Sequence, residues 1–297
     1  MPELPDIVVY IESMDRHFGG RVLERARVPS IPLLRTYDPP LHTMEGRTVQ
    51  GFRRIGKRIV WDMGDELFMV FHLMIAGRFR WAKKGAAVPK KVGHAAFDFP
   101  EGTLILTEQG TKKRASLHVV RGEDTLAEHD RGGVEPLDAS FDQFKAAITR
   151  ENRTMKRALT DQHIFSGIGN AFSDEILHRA RLSPVKRTGQ LSEDELTRLH
   201  GATQDSLREW TDLLREQVGE GFPDKVTAFR PEMAVHGKYG NPCPVCGDPV
   251  QRIVYAANET NYCATCQTDG KLLADRSLSR LLKGDWPKTL EELEGRA

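Results

Sequence analysis

All four cysteines of this 297-residue chain fall in two CxxC pairs, Cys243 with Cys246 and Cys263 with Cys266. A CxxC turn sets two thiolates on one side of a metal, and a second such turn completes the four-thiolate tetrahedron that Zn²⁺ accepts. The alternating residues between the pairs, 250–262, predict a β-hairpin that carries the ligands. Two disulfides are the competing use of the same cysteines. The spacing suits a metal better, and nothing in the sequence suggests an oxidising compartment. With four thiolates around it the ion has no open position, so one structural zinc is expected rather than a catalytic one.

The remaining 240 or so residues ahead of the first pair are enough for two further domains. Apolar residues Ile7, Val8, Ile11, Met14 and Phe18 recur at helical spacing and predict an amphipathic helix ending near Gly19 and Gly20. From Arg21 to about Val120 the pattern changes to short strand-like runs such as 58–63, 67–73 and 103–107, separated by Gly, Pro and Asp. This reads as a sandwich or barrel. The polar, acidic stretch 122–139 reads as a linker. Beyond it, Ser140 with Gln143 and Ser192 with Glu195 have capping-box spacing. Between them, 154–162, the turn-rich SGIGN (166–170) and 171–181 read as helix, turns, helix, with Pro184 closing the second helix.

A net charge of +1 lacks the strongly basic balance of many nucleic-acid binders, so any such affinity must come from local patches. Lys83, Lys84, Lys90 and Lys91 form one, Lys112, Lys113 and Arg114 another. Lys156 with Arg157, and Arg179, Arg181, Lys186 and Arg187, are two more. Each alone reads better as a solvated face. No stretch of about 18 apolar residues exists, and the N-terminus lacks the pattern of a secretory signal, so neither membrane insertion nor secretion is expected.

The chain starts Met1-Pro2-Glu3-Leu4-Pro5-Asp6. A small second residue permits removal of Met1, which would leave the secondary amine of Pro2 at the terminus. An α-amino group titrates near ~8, so a neutral, nucleophilic fraction exists around neutral pH. Such an amine attacks carbonyl-like carbons to form Schiff bases, and Glu3 beside it is a candidate acid/base.

Four blocks, in this order, resemble the formamidopyrimidine-DNA glycosylase and endonuclease VIII family over nearly the whole of residues 2–267. PELPDI (2–7) is similar to the family's N-terminal catalytic motif. FRRIGKRIVW (52–61) is similar to a strand block whose catalytic lysine falls on Lys57. GIGNAFSDEIL (167–177) resembles the helix-two-turn-helix signature, and HGKYGNPCPVCG with YCATCQ resembles the zinc hairpin. The resemblance implies an α+β multidomain fold: a catalytic β-sandwich with its amphipathic helix (1–130), a helical helix-two-turn-helix domain (131–234) and a four-cysteine β-hairpin zinc finger (235–268). A charged tail (269–297) with an apolar run, 272–282, has no readable role.

The resemblance further implies a bifunctional DNA glycosylase and AP lyase of base excision repair. Pro2 attacks C1′ of a damaged nucleotide, expels the base and leaves a Schiff base, and the strand is cut by β or β,δ elimination. Glu3 protonates the sugar ring oxygen, and Lys57 meets the phosphate and the departing base. Asn170, placed just ahead of a helix, and Lys156 contact phosphates. The lesion has to be extruded from the duplex before C1′ is reachable. The expected partner is damaged double-stranded or partly open DNA. The expected cofactor is one Zn²⁺ and no small molecule, and the expected setting is a cytoplasmic, nucleoid-associated monomer.

The sequence departs from the family at three places that bear on substrate. In HLMIAG (72–77) the residue that fills the gap left by the extruded base is Ile75, with Met74 beside it. TKKRASL (111–117) offers Lys113 and Arg114 where the family supplies an arginine and a phenylalanine. Asn258, in ANETNYC (257–263), stands where the family points an arginine at the lesion phosphates. The segment 219–237 also looks shorter than in members that fold a loop over an oxidised purine. These departures would suit a catalytically weak DNA-binding or lesion-sensing protein on the same scaffold. The retention of Pro2, Glu3 and Lys57 together argues for an enzyme. A zinc-ribbon protein unrelated to repair would account only for residues 243–266.

Overall fold

Helix α1, Leu4–Phe18, begins with Pro5 in its first turn and with the Asp6 carboxylate accepting the Glu3 N–H at 2.9 Å, and it ends at Gly19, whose N–H donates to the Asp15 carbonyl. The computed structural model that contains it describes residues 1–110, 112–255, 258–274 and 287–294. The chain divides into two units, Met1–Gly132 with Glu209–Thr227, and Gly133–Arg208 with Ala228–Ala297.

The first unit holds two antiparallel four-stranded sheets. Strands β1 (Arg25–Arg27), β5 (Gly77–Ala82), β6 (Gly93–Asp98) and β7 (Thr103–Glu108) are ordered β1-β6-β7-β5. Strands β2 (Gly51–Ile55), β3 (Arg58–Asp62), β4 (Leu67–His72) and β8 (Ser116–Arg121) are ordered β2-β3-β4-β8. Alternate residues of both sheets enter one core: Ile59, Trp61, Met69, Phe71, Leu117 and Val119 from one, Phe79, Phe97 and Leu104 from the other. The Phe97 ring lies 5.2 Å from Trp61 and 5.4 Å from Phe71, so it joins the two layers. Its truncation to alanine would cost about 3–5 kcal/mol. Ile7, Tyr10, Met14 and Phe18 of α1 pack into the same core, Phe18 stacking on Phe99 at 4.3 Å. The expected sandwich and its helix are both present.

Two sequence expectations are revised here. The acidic stretch after Arg121 is not simply a linker: Glu123–Ala127 forms helix α2, whose Leu126 is buried against Val60, Phe68, Val70 and Val120. Residues Glu209–Thr227, expected within a helical domain, pack in the first unit. Arg215 grips the Glu12 carboxylate through Nε (3.0 Å) and Nη2 (2.6 Å), Phe222 meets the Tyr10 ring at 5.8 Å, and Val226 joins the core.

In the second unit α3 (Phe141–Thr149) starts with the expected capping box. Gln143 N–H donates to Ser140 Oγ at 3.3 Å, and Ser140 N–H donates to Gln143 Oε1 at 2.9 Å. Ser192 and Glu195 make the same exchange, at 3.2 and 3.0 Å, ahead of α6 (Glu193–Val218). Between them α4 (Met155–Thr160) and α5 (Asn170–Arg179) form the helix-turns-helix. Helix α5 ends before Pro184, and Arg181 takes a left-handed φ of 55°. Strands β9 (Gln251–Tyr255) and β10 (Asn258–Tyr262) pair as the expected hairpin, Gln251 opposite Tyr262 and Tyr255 opposite Asn258, followed by α7 (Ala264–Thr268). Of the apolar run 272–282, residues from 275 onward lie outside the described residues. Its start is tied down, Leu273 N–H donating to the Tyr262 hydroxyl at 2.8 Å. Among the described residues no helix is long and apolar enough to cross a membrane.

Candidate active site

The first residues are held in the interior. Pro2 is buried and Glu3 is only 3% exposed. Lys57 reaches the same region from the β2–β3 turn. Ile55 pairs with Arg58, which leaves Gly56 and Lys57 as a two-residue turn, and Gly56 at φ 58° supplies the left-handed first position such a turn needs. Lys57 is 6% exposed, rare for a lysine. Burial pulls the Met1 amine below its ordinary pKa; the Glu3 carboxylate opposes this, Arg78 adds to it, Asp6 opposes it and Lys57 adds to it. Two carboxylates and two cations therefore converge on the start of the chain. A desolvated amine there spends more time neutral, as a nucleophile requires. Arg78 and Asp6 were missed from sequence, since an arginine on a strand and an aspartate in a first helical turn are both commonplace.

Arg78 also braces the β4–β5 turn, Nη1 donating to the carbonyls of Ile75 (3.1 Å) and Gly77 (2.6 Å) and Nε to that of Val226. At Gly77 a Cβ would fall 2.2 Å from the Leu73 carbonyl oxygen, so only glycine fits this closure. Met74 takes φ 52°, a left-handed backbone that costs a non-glycine residue about 1–2 kcal/mol. Next to it Ile75 is 61% exposed, an apolar side chain held out on a braced turn.

The loop after β7 is fastened by a residue that sequence reading also missed. The Glu108 carboxylate accepts the N–H groups of Arg114 (2.9 Å) and Ala115 (3.1 Å), and Lys113 Nζ donates to the Glu108 carbonyl. His94 Nε2 stands 3.0 Å from Glu108 Oε2 but is not aligned for a hydrogen bond, both side chains being sequestered from solvent. Lys113 and Arg114 themselves are exposed.

In the second unit Lys156 is mostly buried. Its Nζ donates to the Asn170 carbonyl at 2.6 Å and to Asp174 Oδ1 at 2.5 Å. Asp174, fully buried, also receives the Asn261 N–H at 3.2 Å and faces His236 Nδ1 at 2.8 Å. Next to it Glu175 accepts the N–H groups of Ala234, Val235 and His236 at 2.8–2.9 Å, and burial pushes its pKa up despite them. Asn170 was expected just ahead of the helix. It is the first helical residue instead, Gly169 being the cap, and its side-chain amide donates to the Glu259 carbonyl of β10 at 2.9 Å. Asn258 begins β10. The signal for this network was available in GIGNAFSDEIL: two adjacent acids between Phe172 and the apolar pair Ile176 and Leu177 need buried partners.

The four cysteine sulfurs all lie within 4.8 Å of one another, with Cys246 and Cys263 at 3.4 Å and Cys243 and Cys266 at 3.9 Å. A disulfide would require about 2.05 Å. Tetrahedral thiolates at about 2.3 Å from a zinc stand roughly 3.8 Å apart. Burial pushes the Cys266 thiol up to about 11 when no cation is present, so a divalent ion is the natural compensation for four thiolates here. His178 Nε2 lies 3.3 Å from Cys243 Sγ and can orient that ligand from outside.

Residues 1–114 match the formamidopyrimidine-DNA glycosylase N-terminal domain, 133–216 the formamidopyrimidine-DNA glycosylase H2TH domain, and 240–268 the zinc finger found in FPG and IleRS. Formamidopyrimidine-DNA glycosylase of Desulforamulus reducens is 30% identical over 278 residues, covering 90% of this chain and 99% of that protein. An uncharacterized formamidopyrimidine-DNA glycosylase-like protein of Mycobacterium tuberculosis is 44% identical over 151 residues, 51% of this chain and 94% of its own length. The crystal structure of the Lactococcus lactis formamidopyrimidine-DNA glycosylase bound non-covalently to DNA containing an AP site superposes with a TM-score of 0.78 at 26% identity, covering 90% of this chain and 99% of that one.

Proposed function

This chain belongs to the formamidopyrimidine-DNA glycosylase family, and on that premise we propose that it is a bifunctional DNA glycosylase and AP lyase acting through the amine of Pro2. The observation that carries the reading is the gathering of Glu3, Asp6, Arg78 and Lys57 around the buried start of the chain. Removal of Met1 leaves the Pro2 nitrogen as the amine in that setting. It attacks C1′, the glycosidic bond breaks with its electron pair leaving on the base, and the proton shed by the attacking Pro2 nitrogen passes to the departing base. Glu3 supplies the proton that opens the sugar at its ring oxygen, and the nitrogen–carbon bond becomes a Schiff base. Loss of a C2′ proton then expels the 3′ phosphate, and water releases the chain. Lys57 offers a positive charge to the anionic oxygens.

Binding is assigned to both units separately. Ile75 is the wedge that enters the stack, with Lys113 and Arg114 on the next loop. Lys156 has a third N–H beyond its two bonds, and the Asn170 amide has a second, so each can still meet a phosphate. Asn258 begins β10 of the zinc hairpin, and its side chain lies outside the described residues. Cys243, Cys246, Cys263 and Cys266 hold one zinc, which stabilises the hairpin and takes no part in a step.

Borohydride trapping tests this reading. Protein with a free Pro2 should form a covalent adduct with an abasic duplex, and protein that retains Met1 should form none. A full yield of adduct from the Met1-retaining form would overturn the Pro2 mechanism.

A further inference from the structure

The outer face of the β2-β3-β4-β8 sheet changes character halfway along. Its side chains alternate away from the core: Val60, Phe68, Val70 and Val120 form an apolar patch that Leu126 of α2 covers. Beyond that patch the register sets Arg58 opposite His72, and His118 opposite Val70, so the same face continues as arginine and imidazole toward the Gly56-Lys57 turn. His129, just past α2, brings its ring to 4.8 Å from that of His118, and Arg131 follows it. Arg35 is delivered to the same end, its N–H donating to the Leu117 carbonyl at 2.9 Å.

The charges at the two ends of this face are handled differently. Arg53 is paired with Glu123 at 2.8 and 3.0 Å and with Asp62 at 3.6 Å, and its guanidinium lies 4.7 Å over the Phe68 ring. Arg58 makes no ion pair among the described residues, and Asp130 acts on it only at a distance. Burial first, then positive neighbours, holds His72 and His118 down to about 4 and His129 below the ordinary imidazole value. The neighbours of His72 are Arg58, Lys57, His118 and Arg131; those of His118 are His129, Arg58 and Arg35; those of His129 are Arg58 and Arg131. Arg58 is half-buried beside positive neighbours, and an anion placed next to it relieves that repulsion.

We propose that Arg58, His118, His129 and Arg131 form a phosphate-binding site beside Lys57 that takes a backbone phosphate of the DNA. The site rests on the reading of the chain as a DNA-processing enzyme. Guanidinium forks suit phosphate oxygens, and imidazoles that are neutral in the free protein gain a proton when the anion arrives. Duplex binding therefore takes up protons through this site, so affinity rises as pH falls, by at most about tenfold per pH unit for each proton taken up.

The test uses the full zinc-loaded chain and a duplex containing a stable abasic analogue, with affinity measured between pH 6 and 8. Wild type should bind more tightly at pH 6, and His118→Gln/His129→Gln, with zinc content and thermal unfolding as in wild type, should lose most of that slope. Arg131→Gln, at an exposed position and with thermal unfolding as in wild type, should lower the slope of log affinity against log salt by about one. An unchanged pH slope in the double variant, or an unchanged salt slope in Arg131→Gln, would overturn the site. A second arm uses inorganic phosphate alone and follows the two imidazoles by NMR. A rise in the pKa of His118 and His129 supports a phosphate site, and no rise refutes it. If phosphate produces the rise but no duplex binds, the DNA reading of the whole chain fails and the site serves free phosphate.

Discussion

Replacing Lys156 by methionine removes the ammonium from a carboxylate that has no solvent to fall back on. Asp174 is fully buried, and the Lys156 side chain is 12% exposed at 2.5 Å from it. Breaking such a pair from one side costs about 3–5 kcal/mol, because the surviving charge is stranded. Here Asp174 keeps the Asn261 N–H at 3.2 Å and His236 at 2.8 Å, which places the expected loss at the lower end, about 3 kcal/mol. Amide hydrogen exchange of α4 and α5 reads the effect as a local opening free energy. Lys156→Met with Asp174→Leu should cost less than Lys156→Met alone, since the stranded charge is then gone. If α5 exchanges at the wild-type rate in Lys156→Met, the pair is not holding the helices, and Lys156 is available for phosphate alone.

Glu3→Gln should lower base removal by about 10²-fold or more while cleavage of preformed abasic sites survives better; equal loss of both would contradict its role as the acid. Metal analysis of reduced, folded protein should return about one zinc per chain, and chelation should abolish exchange protection of the β9–β10 hairpin. Burial alone would raise the Asp98 pKa, but Arg27 (2.7 Å to each oxygen) and Thr103 (2.6 Å) outweigh it and hold it below the ordinary value. A depressed folded pKa contributes stability above the unfolded value near ~3.9 that is lost as pH falls through the folded one. Asp98→Asn should thus destabilise by about 1–3 kcal/mol at pH 7 and by little near pH 2, as pH-dependent unfolding would show. With Ile75 as the apolar wedge and no phenylalanine beside it, abasic and strongly distorting lesions should be processed faster than 8-oxoguanine opposite cytosine; equal single-turnover rates would refute this.

Much of this protein was legible wherever the governing physics is local. The capping boxes at Ser140 and Ser192 need only residues three apart. Helix α1 follows from its apolar spacing, and the cysteine pairs bring their own turn geometry. The order of the catalytic blocks, through resemblance, singled out Pro2, Glu3 and Lys57. What escaped notice were contacts between distant positions. Glu108 fastens the loop that carries Arg114, Arg78 braces Ile75 and acts on the terminal amine, and Asp174 claims Lys156. None of these residues looks special beside its sequence neighbours.

The sequence alone therefore determined most of the elements, the clustered cysteines and the chemical types available at the chain's start, because capping, periodicity and CxxC spacing are written within a few residues. The tertiary structure decided which charges meet. Asn170 stands inside the helix rather than ahead of it, and its amide donates to a carbonyl of β10 nearly ninety residues later. Lys57 is buried, and Lys156 is mostly buried because Asp174 and the Asn170 carbonyl of α5 hold its ammonium. Desolvation and Coulomb interaction depend on distance in space, and distance along the chain does not encode it.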